Sequence, residues 1–301
     1  MGINGKYAND SLGTRMKRYE LPAQQNLMRR TYTWLRIDGK AFHTYTKGLK
    51  RPFDDGLIDD MNNAAIYACK KIQGAVLAYV QSDEISILMT DFEKITTDAW
   101  FDNNVQKMVS VSASLVTTEF NRLRLKRAFS DKLYDCEFPG EMGHYDIQEF
   151  IEKFRMAEFD SRVFQVPTQD ESMNYLIWRQ QDATRNSISS VAQSLYSHKE
   201  LEGKDSNQKQ EMIFQKGTNW NDYPSKYKRG RVMRQNTYIN GVQGIIFEAE
   251  NIEGKVYKTI LMDAAVTLPD DAVVRNRWEA VECPIFSQDR SYLTQLIPNN
   301  I

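Results

Sequence analysis

The residues best suited to chemistry are carboxylates at the ends of short β-prone runs. Asp38 follows the apolar run 31–37, and Asp83 and Glu84 separate two further runs of the same kind. Neighbouring strands lie about 4.8 Å apart, so carboxylates at matching heights can share a hard divalent cation such as Mg²⁺, which prefers oxygen ligands. The same residue types also favour a β-turn at Asp38 and a polar hairpin tip at Asp83. Spacing alone therefore leaves both interpretations open.

A basic loop after Asp38 offers charge that would neutralise a triphosphate. Its cationic residues stand close together in the chain, namely Lys40, His43, Lys47, Lys50 and Arg51. Such groups bind phosphate oxygens, although charge runs usually face water, so a solvated loop fits equally well. Gly39 removes side-chain bulk where a metal ion or a triphosphate would approach the backbone. The chain contains neither GxxxxGK[ST] nor GxGxxG, which disfavours a phosphate site of the P-loop or Rossmann type.

Length and composition are those of an ordinary soluble globular protein. The 301 residues suit one large domain or two closely packed ones, with 41% apolar and 26% charged residues. Because the net charge is only −1, local basic patches would have to hold any nucleic acid. Three distant cysteines without a CxxC pattern support neither a disulfide framework nor a zinc site. With no signal-peptide pattern and no bilayer-spanning apolar run, we expect a cytoplasmic protein without a membrane partner.

Hydrophobic periodicity predicts the elements that would position these residues. The first half reads as a strand, a helix, two strands and a helix, at 31–37, 54–73, 75–80, 85–90 and about 103–123. This order begins a split βαβ, ferredoxin-like layout, with helices packed on an antiparallel sheet. The second half reads as a long helix, a shorter helix and three strands, at 170–197, within 199–214, and at 231–234, 244–249 and 257–262, with a hairpin turn at 251–254.

Two local clusters of basic residues are candidates for binding nucleic acid. The cluster at 121–127 reads "NRLRLKR", and a solvated helix end explains it equally well. The cluster at 226–231 reads "KYKRGR" and has Trp220, Tyr223 and Tyr227 beside it or within it. Since aromatic rings interleaved with cations suit bases and phosphates, the second cluster is the better candidate.

Several segments, taken in order, resemble the tRNA-His guanylyltransferase superfamily, whose members add nucleotides in the 3′-to-5′ direction to a tRNA 5′ end. The segments are "RIDGKAFHTYTKG", "AYVQSDEISIL", "QKMVSVSASLVTTEF", "FDSRVFQVPTQDESMNYLIWRQQDATRNS" and "NQKQEMIFQKGTNWNDYPSKYKRG". The likeness covers about residues 31–234 and fades at both ends. It implies an α+β fold with a polymerase-like palm, which agrees with the split βαβ layout.

The resemblance also implies roles for individual residues. Asp38, the Gly39 carbonyl and Asp83 would hold two Mg²⁺ ions, and Glu84 would be catalytic together with the two aspartates. The residues that would surround the triphosphates of ATP or GTP substrates are Lys40, Ala41, Phe42, His43, Lys47, Arg51, Ser82, Lys107 and Ser110. The residues that would serve tRNA or nucleotide binding are Arg179, Asn186, Lys209, Asn219, Lys228 and Arg229. The tRNA 5′ end would be the partner, and a homotetramer the assembly.

One departure from the family pattern bears on the reaction. Strict tRNA-His enzymes carry His-Ile-Asn-Asn where this chain has Thr184, Arg185, Asn186 and Ser187. In this respect the chain resembles the guanylyltransferase-like branch, which prefers template-directed repair of 5′-truncated tRNA. The alternatives are the strict enzyme that adds a single 5′ G, a non-catalytic RNA-binding palm, and a nucleotidyl cyclase or forward polymerase.

The organisation predicted from these segments has three parts. Residues 1–140 would form the catalytic palm core, and residues 141–235 a helical part that completes the nucleotide and tRNA site. Residues 236–301 would be a β-rich extension of unknown role.

Overall fold

The β-prone runs of the sequence pair into an antiparallel sheet in a computed structural model of the chain. The structure describes residues 11–134, 152–239, 242–243, 245–250, 256–261, 265–267 and 274–300. The strands are β1 (Tyr32–Gly39), β2 (Ala75–Gln81), β3 (Glu84–Met89), β4 (Phe159–Val166), β5 (Arg231–Ile239), β6 (Val242–Gln243), β7 (Ile245–Glu250), β8 (Val256–Leu261), β9 (Ala265–Thr267) and β10 (Val274–Glu282).

Helices of very different length connect the strands. They are α1 (Ser11–Glu20), α2 (Phe42–Tyr45), α3 (Asp55–Lys71), α4 (Val105–Tyr134), α5 (Gln169–Leu195), α6 (His198–Leu201), α7 (Ser206–Gln215), α8 (Ser225–Lys228) and α9 (Arg290–Leu296). None of these described helices combines the length and apolar character that crossing a bilayer requires.

The main sheet has the strand order β10-β5-β2-β3-β1-β4, with β6 paired to β5. Strands β7, β8 and β9 form a second, small sheet. Every pairing in the main sheet is antiparallel. The sheet packed with helices confirms the predicted α+β fold, including the strand, helix, strand, strand, helix order of its first half.

One face of the sheet packs against α3 and α4. Leu35 and Ile87 lie in this core with Met61 of α3 and Phe120 of α4, each fully buried. Helix α3 begins directly after Asp54, which caps it: the Asp54 carboxylate accepts a hydrogen bond from the Leu57 backbone N–H at 2.7 Å. Helix α4 is longer than its predicted span of 103–123 and reaches Tyr134.

The opposite face of the sheet packs against α5 and the last described residues. Trp34 and Leu88 are buried there with Leu176 of α5 and with Leu293 of α9. The indole N–H of Trp34 donates a hydrogen bond to the Ser172 hydroxyl at 3.3 Å, which satisfies the one polar group of a buried ring.

Strands β4, β6 and β10 of the main sheet, and helix α9 that covers it, were absent from the predicted elements. Strand β10 pairs with β5 along its whole length, from Val274 opposite Ile239 to Glu282 opposite Arg231. Part of the predicted extension therefore completes the main sheet, while the division at residues 140 and 235 stays a prediction. The predicted hairpin turn at 251–254 and Cys136 lie outside the described residues; Cys69 and Cys283 are buried free thiols.

Candidate functional site

Strand pairing brings Asp38 and Asp83 to the same end of the sheet. Asp38, near the end of β1, lies directly opposite Glu84 of β3, so Asp83 occupies the adjoining turn between β2 and β3. The backbone N–H of Gly39 donates a hydrogen bond to the carbonyl oxygen of Asp83 at 3.2 Å. The structure thus brings the two predicted metal-binding carboxylates together.

Both carboxylates carry negative charge that the protein compensates poorly. Burial raises the pKa of Asp83, the hydrogen bond from Ser82 lowers it, and the charge of Asp38 raises it further. Burial also raises the pKa of Asp38, and so does the charge of Asp160, against the lowering effect of Arg162 and two other arginines. No described cation forms an ion pair with Asp83. Two hard oxygen donors, of which Asp83 has no ion pair with a described cation and Asp38 only a long one with Arg162, are what a divalent cation requires.

Within the described parts of the chain, Asp38 and Asp83 are not joined by a third metal-binding side chain. Among the residues that the structure describes, no group of three or more His, Cys, Asp or Glu side chains is arranged to hold a metal ion. A cation would therefore depend on Asp38, Asp83 and backbone carbonyl oxygen, together with water and substrate phosphates, which is the ligand set that Mg²⁺ commonly accepts.

Glu84 has a different environment from the adjacent Asp83. Its side chain is buried, with Oε1 at 3.1 Å from Nε of Arg179 and at 3.3 Å from Nε2 of Gln81. Nε of Arg36 lies 3.9 Å from Oε2, the other carboxylate oxygen of Glu84. Burial raises the pKa of Glu84, and the positive charge of Arg179 is the largest effect that lowers it. Glu84 and Arg179 therefore form a buried ion pair that joins α5 to the β2–β3 hairpin.

Gly39 is required by its neighbour Phe42. A Cβ atom on Gly39 would lie 2.3 Å from Cδ2 of the Phe42 ring, so no larger residue fits without moving that ring. Phe42 is 6% exposed and packs in the core between α4 and β4, which makes it a structural anchor. Ala41, immediately before it, takes the left-handed backbone conformation at φ +50°. Together they fix the start of α2 and leave His43 exposed beside Phe42.

A cleft of about 250 Å³ opens next to the β2–β3 turn. Four of the residues predicted to bind nucleotide or tRNA line it, namely His43, Arg51, Ser82 and Asn186. They come from the basic loop, the hairpin and α5, so the fold unites residues that are distant in the chain. Arg231 also lines the cleft, and burial lowers its pKa to about 10. The sequence placed Arg231 only within the second basic cluster, without relating it to the hairpin.

The other predicted triphosphate ligands lie outside this cleft. Lys40 forms an ion pair with Glu158 at 2.5 Å, and Lys47 is exposed on the basic loop. Lys107 and Ser110 belong to α4, which packs on the face of the sheet opposite Arg179; the Ser110 hydroxyl donates to the Gln106 carbonyl of its own helix.

The remaining residues predicted to bind tRNA are also engaged within the fold. The Lys209 ammonium donates to the Ser189 hydroxyl at 3.2 Å. Asn219 accepts a hydrogen bond from the Asn221 backbone N–H, and Lys228 donates to the Asn221 carbonyl at 2.6 Å. The Arg229 carbonyl accepts a hydrogen bond from the hydroxyl of buried Tyr79 at 2.6 Å. Their roles in binding RNA stay predictions.

The first basic cluster is largely structural. The guanidinium groups of Arg124 and Arg127 lie at 3.1 and 2.8 Å from the carboxylate of Asp60, which is 2% exposed. In the second cluster, the Lys226 ammonium and the Tyr227 hydroxyl contact the Asp55 carboxylate at 2.7 and 2.6 Å. Lys226 and Tyr227 line the cleft, so this cluster borders the candidate site.

Asp160 and Arg162 border Asp38 and were missed in the sequence. Strand β4 places Asp160 directly opposite Asp38, and Arg162 Nη2 lies 3.9 Å from Asp38 Oδ2 and 3.5 Å from Asp160 Oδ1. Assigning the run 159–166 as a strand would have revealed both.

Comparison with known proteins identifies the family. The family model described as tRNAHis guanylyltransferase matches residues 13–167. A bacterial tRNA(His) guanylyltransferase (Thg1)-like protein solved in complex with ATP is 37% identical, with a TM-score of 0.69 over 95% of this chain and 99% of that one. The structure of such a protein in complex with GTP is 36% identical, with a TM-score of 0.66 and the same coverage. The tRNA(His) guanylyltransferase of Schizosaccharomyces pombe is 29% identical over 230 residues, which are 72% of this chain and 77% of that one. The chain, with its antiparallel sheet and paired aspartates, belongs to the tRNAHis guanylyltransferase family.

Proposed function

We propose that the protein is a Mg²⁺-dependent nucleotidyltransferase that adds nucleotides in the 3′-to-5′ direction to the 5′ end of tRNA. The observation that carries this proposal is the convergence of Asp38 and Asp83 beside a cleft lined by His43, Arg51 and Ser82. Relatives in the same family have been solved in complex with ATP and with GTP, which supports nucleoside triphosphates as substrates.

The carboxylates of Asp38 and Asp83 and the carbonyl of Gly39 would hold the metal. Bound Mg²⁺ supplies positive charge that stabilises the negative charge developing on phosphoryl oxygens. The chain itself holds Asp38 and Asp83 in place through the Gly39–Asp83 backbone hydrogen bond. Arg51 and His43 would bind triphosphate oxygens in the cleft and orient the phosphorus for in-line attack.

The proposed reaction has two transfers. The 5′-monophosphate of the tRNA attacks the α-phosphorus of ATP or GTP, which forms an activated 5′ end and releases pyrophosphate. The 3′-hydroxyl of an incoming nucleotide then attacks the phosphorus of that activated end and releases the nucleoside monophosphate. Both transfers need the reacting groups held in line and the phosphoryl charge neutralised, so one pair of carboxylates can serve both.

Two observations favour template-directed repair of 5′-truncated tRNA over the addition of a single G. The chain carries Thr184-Arg185-Asn186-Ser187 in place of His-Ile-Asn-Asn, and Asn186 of this group lines the cleft. It is also more similar to the bacterial guanylyltransferase-like protein, at 37% identity, than to the fission-yeast tRNA(His) enzyme, at 29%.

Gel analysis of labelled tRNA tests the proposal. The protein is incubated with Mg²⁺ and each nucleoside triphosphate, using tRNA that is either full-length or truncated at the 5′ end. We expect the truncated tRNA to be extended only by nucleotides complementary to the opposite strand. Addition of one G to full-length tRNA-His alone would indicate the strict enzyme. Binding without addition would indicate a non-catalytic module, and a cyclic nucleotide formed without RNA would indicate a cyclase.

Assembly and location belong to the same proposal. The homotetramer and the cytoplasmic location that the sequence suggested stay predictions. Light scattering of the purified protein at several concentrations tests the first, and fractionation of the source cells tests the second.

A further inference from the structure

Trp178 is an exposed aromatic residue of α5 whose ring contacts a buried arginine. Trp178 is 48% exposed, although Tyr175 and Arg179 on the same helix are buried. The guanidinium of Arg179 lies 4.0 Å from the ring centroid and covers part of the ring. Arg179 is itself buried and fixed by ion pairs with Glu84 and Asp182. The ring is therefore backed by an immobilised cation, while its exposed part is open to a planar ligand.

The ring stands beside the part of the sheet that carries Asp38. The rings of Trp178 and Tyr175 lie 5.9 Å apart, and Tyr175 packs on Phe164 of β4 at 5.1 Å. Arg162 lies two residues before Phe164 on the same face of β4, about 7 Å along the strand. Trp178 and Arg162 therefore border the same part of the sheet, on the face that packs against α5.

Arg162 has the properties of a phosphate-binding residue. Its side chain is 54% exposed, and its closest contacts with Asp38 and Asp160 measure 3.9 and 3.5 Å. Both contacts are longer than an ordinary charge-assisted hydrogen bond, and the described residues offer its guanidinium no shorter one. Its N–H groups can therefore turn toward a phosphate that arrives beside Asp38.

We propose that Trp178 and Arg162 bind the 5′-terminal nucleotide of the RNA substrate, with the base stacked on the indole ring and the 5′-phosphate on the guanidinium. This inference rests on the proposed function. It assigns a binding site to the tRNA 5′ end, apart from the cleft proposed for the nucleoside triphosphate. The cleft with His43, Arg51 and Ser82 offers several cations for a triphosphate, whereas Arg162 offers a single exposed guanidinium, whose paired N–H groups match the oxygens of one phosphate. Stacking on an aromatic ring tolerates any base, as repair of different tRNAs requires.

Equilibrium binding tests the inference without any chemistry. The probe is a 5′-truncated tRNA carrying a 5′-monophosphate and a 3′-fluorescein, titrated with protein in the absence of nucleoside triphosphate and followed by fluorescence anisotropy. Trp178→Ala and Trp178→Leu should each raise the Kd roughly 5- to 100-fold, the range expected for one stacked base, while Trp178→Phe should retain most of the affinity. The control is Tyr19→Ala on α1, which removes an aromatic residue that is 74% exposed and should leave the Kd unchanged.

The 5′-phosphate is tested by a second comparison. Arg162→Gln should weaken binding of the 5′-monophosphorylated RNA and leave binding of the same RNA with a 5′-hydroxyl unchanged. Equal Kd values for wild type, Trp178→Ala and Trp178→Leu would overturn the inference, and so would equal loss for the two forms of RNA in Arg162→Gln. A raised KM for ATP with unchanged RNA binding would also overturn it, because the ring would then serve the nucleoside triphosphate. RNA binding that depends on Trp178 in a protein that adds no nucleotide would support this inference while refuting the proposed function.

Discussion

Close packing between Gly39 and Phe42 predicts that Gly39→Ala damages both the fold and the nucleotide site. The added Cβ would lie 2.3 Å from Cδ2 and 2.8 Å from Cε2 of the ring. Carbon atoms in contact stand about 3.5–4.0 Å apart, so the ring must move by roughly 1 Å or more. It has little room, because the rings of Tyr45, Phe120 and Phe159 surround it at centroid distances of 4.9, 5.8 and 5.6 Å.

The expected loss of stability follows from how far the ring can yield. Overpacking of a core usually costs about 1–3 kcal/mol, and complete loss of a buried phenylalanine side chain costs about 3–5 kcal/mol. Phe42 begins the four-residue helix α2, which can shift as a unit, so we expect the lower range. Because His43 follows Phe42 and lines the cleft, the same shift should raise the KM for ATP.

Urea denaturation followed by circular dichroism measures the change in unfolding free energy. The comparison variant is Gly56→Ala in the first turn of α3, where a new Cβ would lie 3.0 Å from Cδ of the Arg127 side chain that pairs with Asp60. Because this contact is longer than the 2.3 Å contact at Gly39, we expect Gly56→Ala to lose less stability than Gly39→Ala. Adding Phe42→Leu to Gly39→Ala should restore part of the stability, since the smaller side chain vacates the clashing ring positions. A Gly39→Ala protein with wild-type stability and wild-type KM would refute the proposed packing.

Three further perturbations test the site. Asp83→Asn should abolish nucleotide addition, and full activity would overturn the metal assignment. Since burial raises the pKa of Asp83, its ionisation in the folded protein costs stability as the pH rises through that pKa. In EDTA, Asp83→Asn should therefore melt at a higher temperature than wild type at pH 8, with the difference vanishing in acid; Mg²⁺ should raise the melting temperature of wild type only. Arg179→Met should lower the unfolding free energy by roughly 3 kcal/mol because it removes the closest cation of the buried Glu84 carboxylate and leaves it only Arg36 at 3.9 Å, and Glu84→Gln in the same chain should recover part of that loss in urea denaturation. Lys209→Ala should weaken substrate use without changing the melting temperature, and unchanged kinetics would remove Lys209 from the site.

Elements with strong local patterns were predictable from the sequence. Strand β1, helix α3 and the β2–β3 hairpin lie within two residues of their predicted bounds, because alternation, helical spacing and the capping residue Asp54 act over short distances. The position of Asp83 beside Asp38 followed from these elements alone. What local pattern could not supply was the pairing of strands that are far apart in the chain.

Strand β4 shows why the rest was missed. It contains Asp160 and Arg162 at the positions that face the candidate site, and these charged residues interrupt the apolar alternation by which a strand is recognised. Strand β10 was missed for a similar reason. Its run "VRNRWEAVE" is rich in charge, and the strand forms an edge of the main sheet. Residues that break a local pattern at a functional site are an expected cause of such misses.

Glu84 shows the same limit at the level of a single residue. Its position next to Asp83 suggested a shared role, yet Asp83 lies in the turn while Glu84 begins β3 and pairs with Arg179 of α5. Because this ion pair is buried, it can break only at a large cost in free energy, so α5 and the hairpin are held in a fixed relation. Helix α5 carries both Asn186, which lines the cleft, and Trp178, whose ring contacts the Arg179 guanidinium. The geometry of both proposed substrate sites around Asp38 and Asp83 therefore depends on the Glu84–Arg179 ion pair, and the catalytic role of Glu84 stays a prediction.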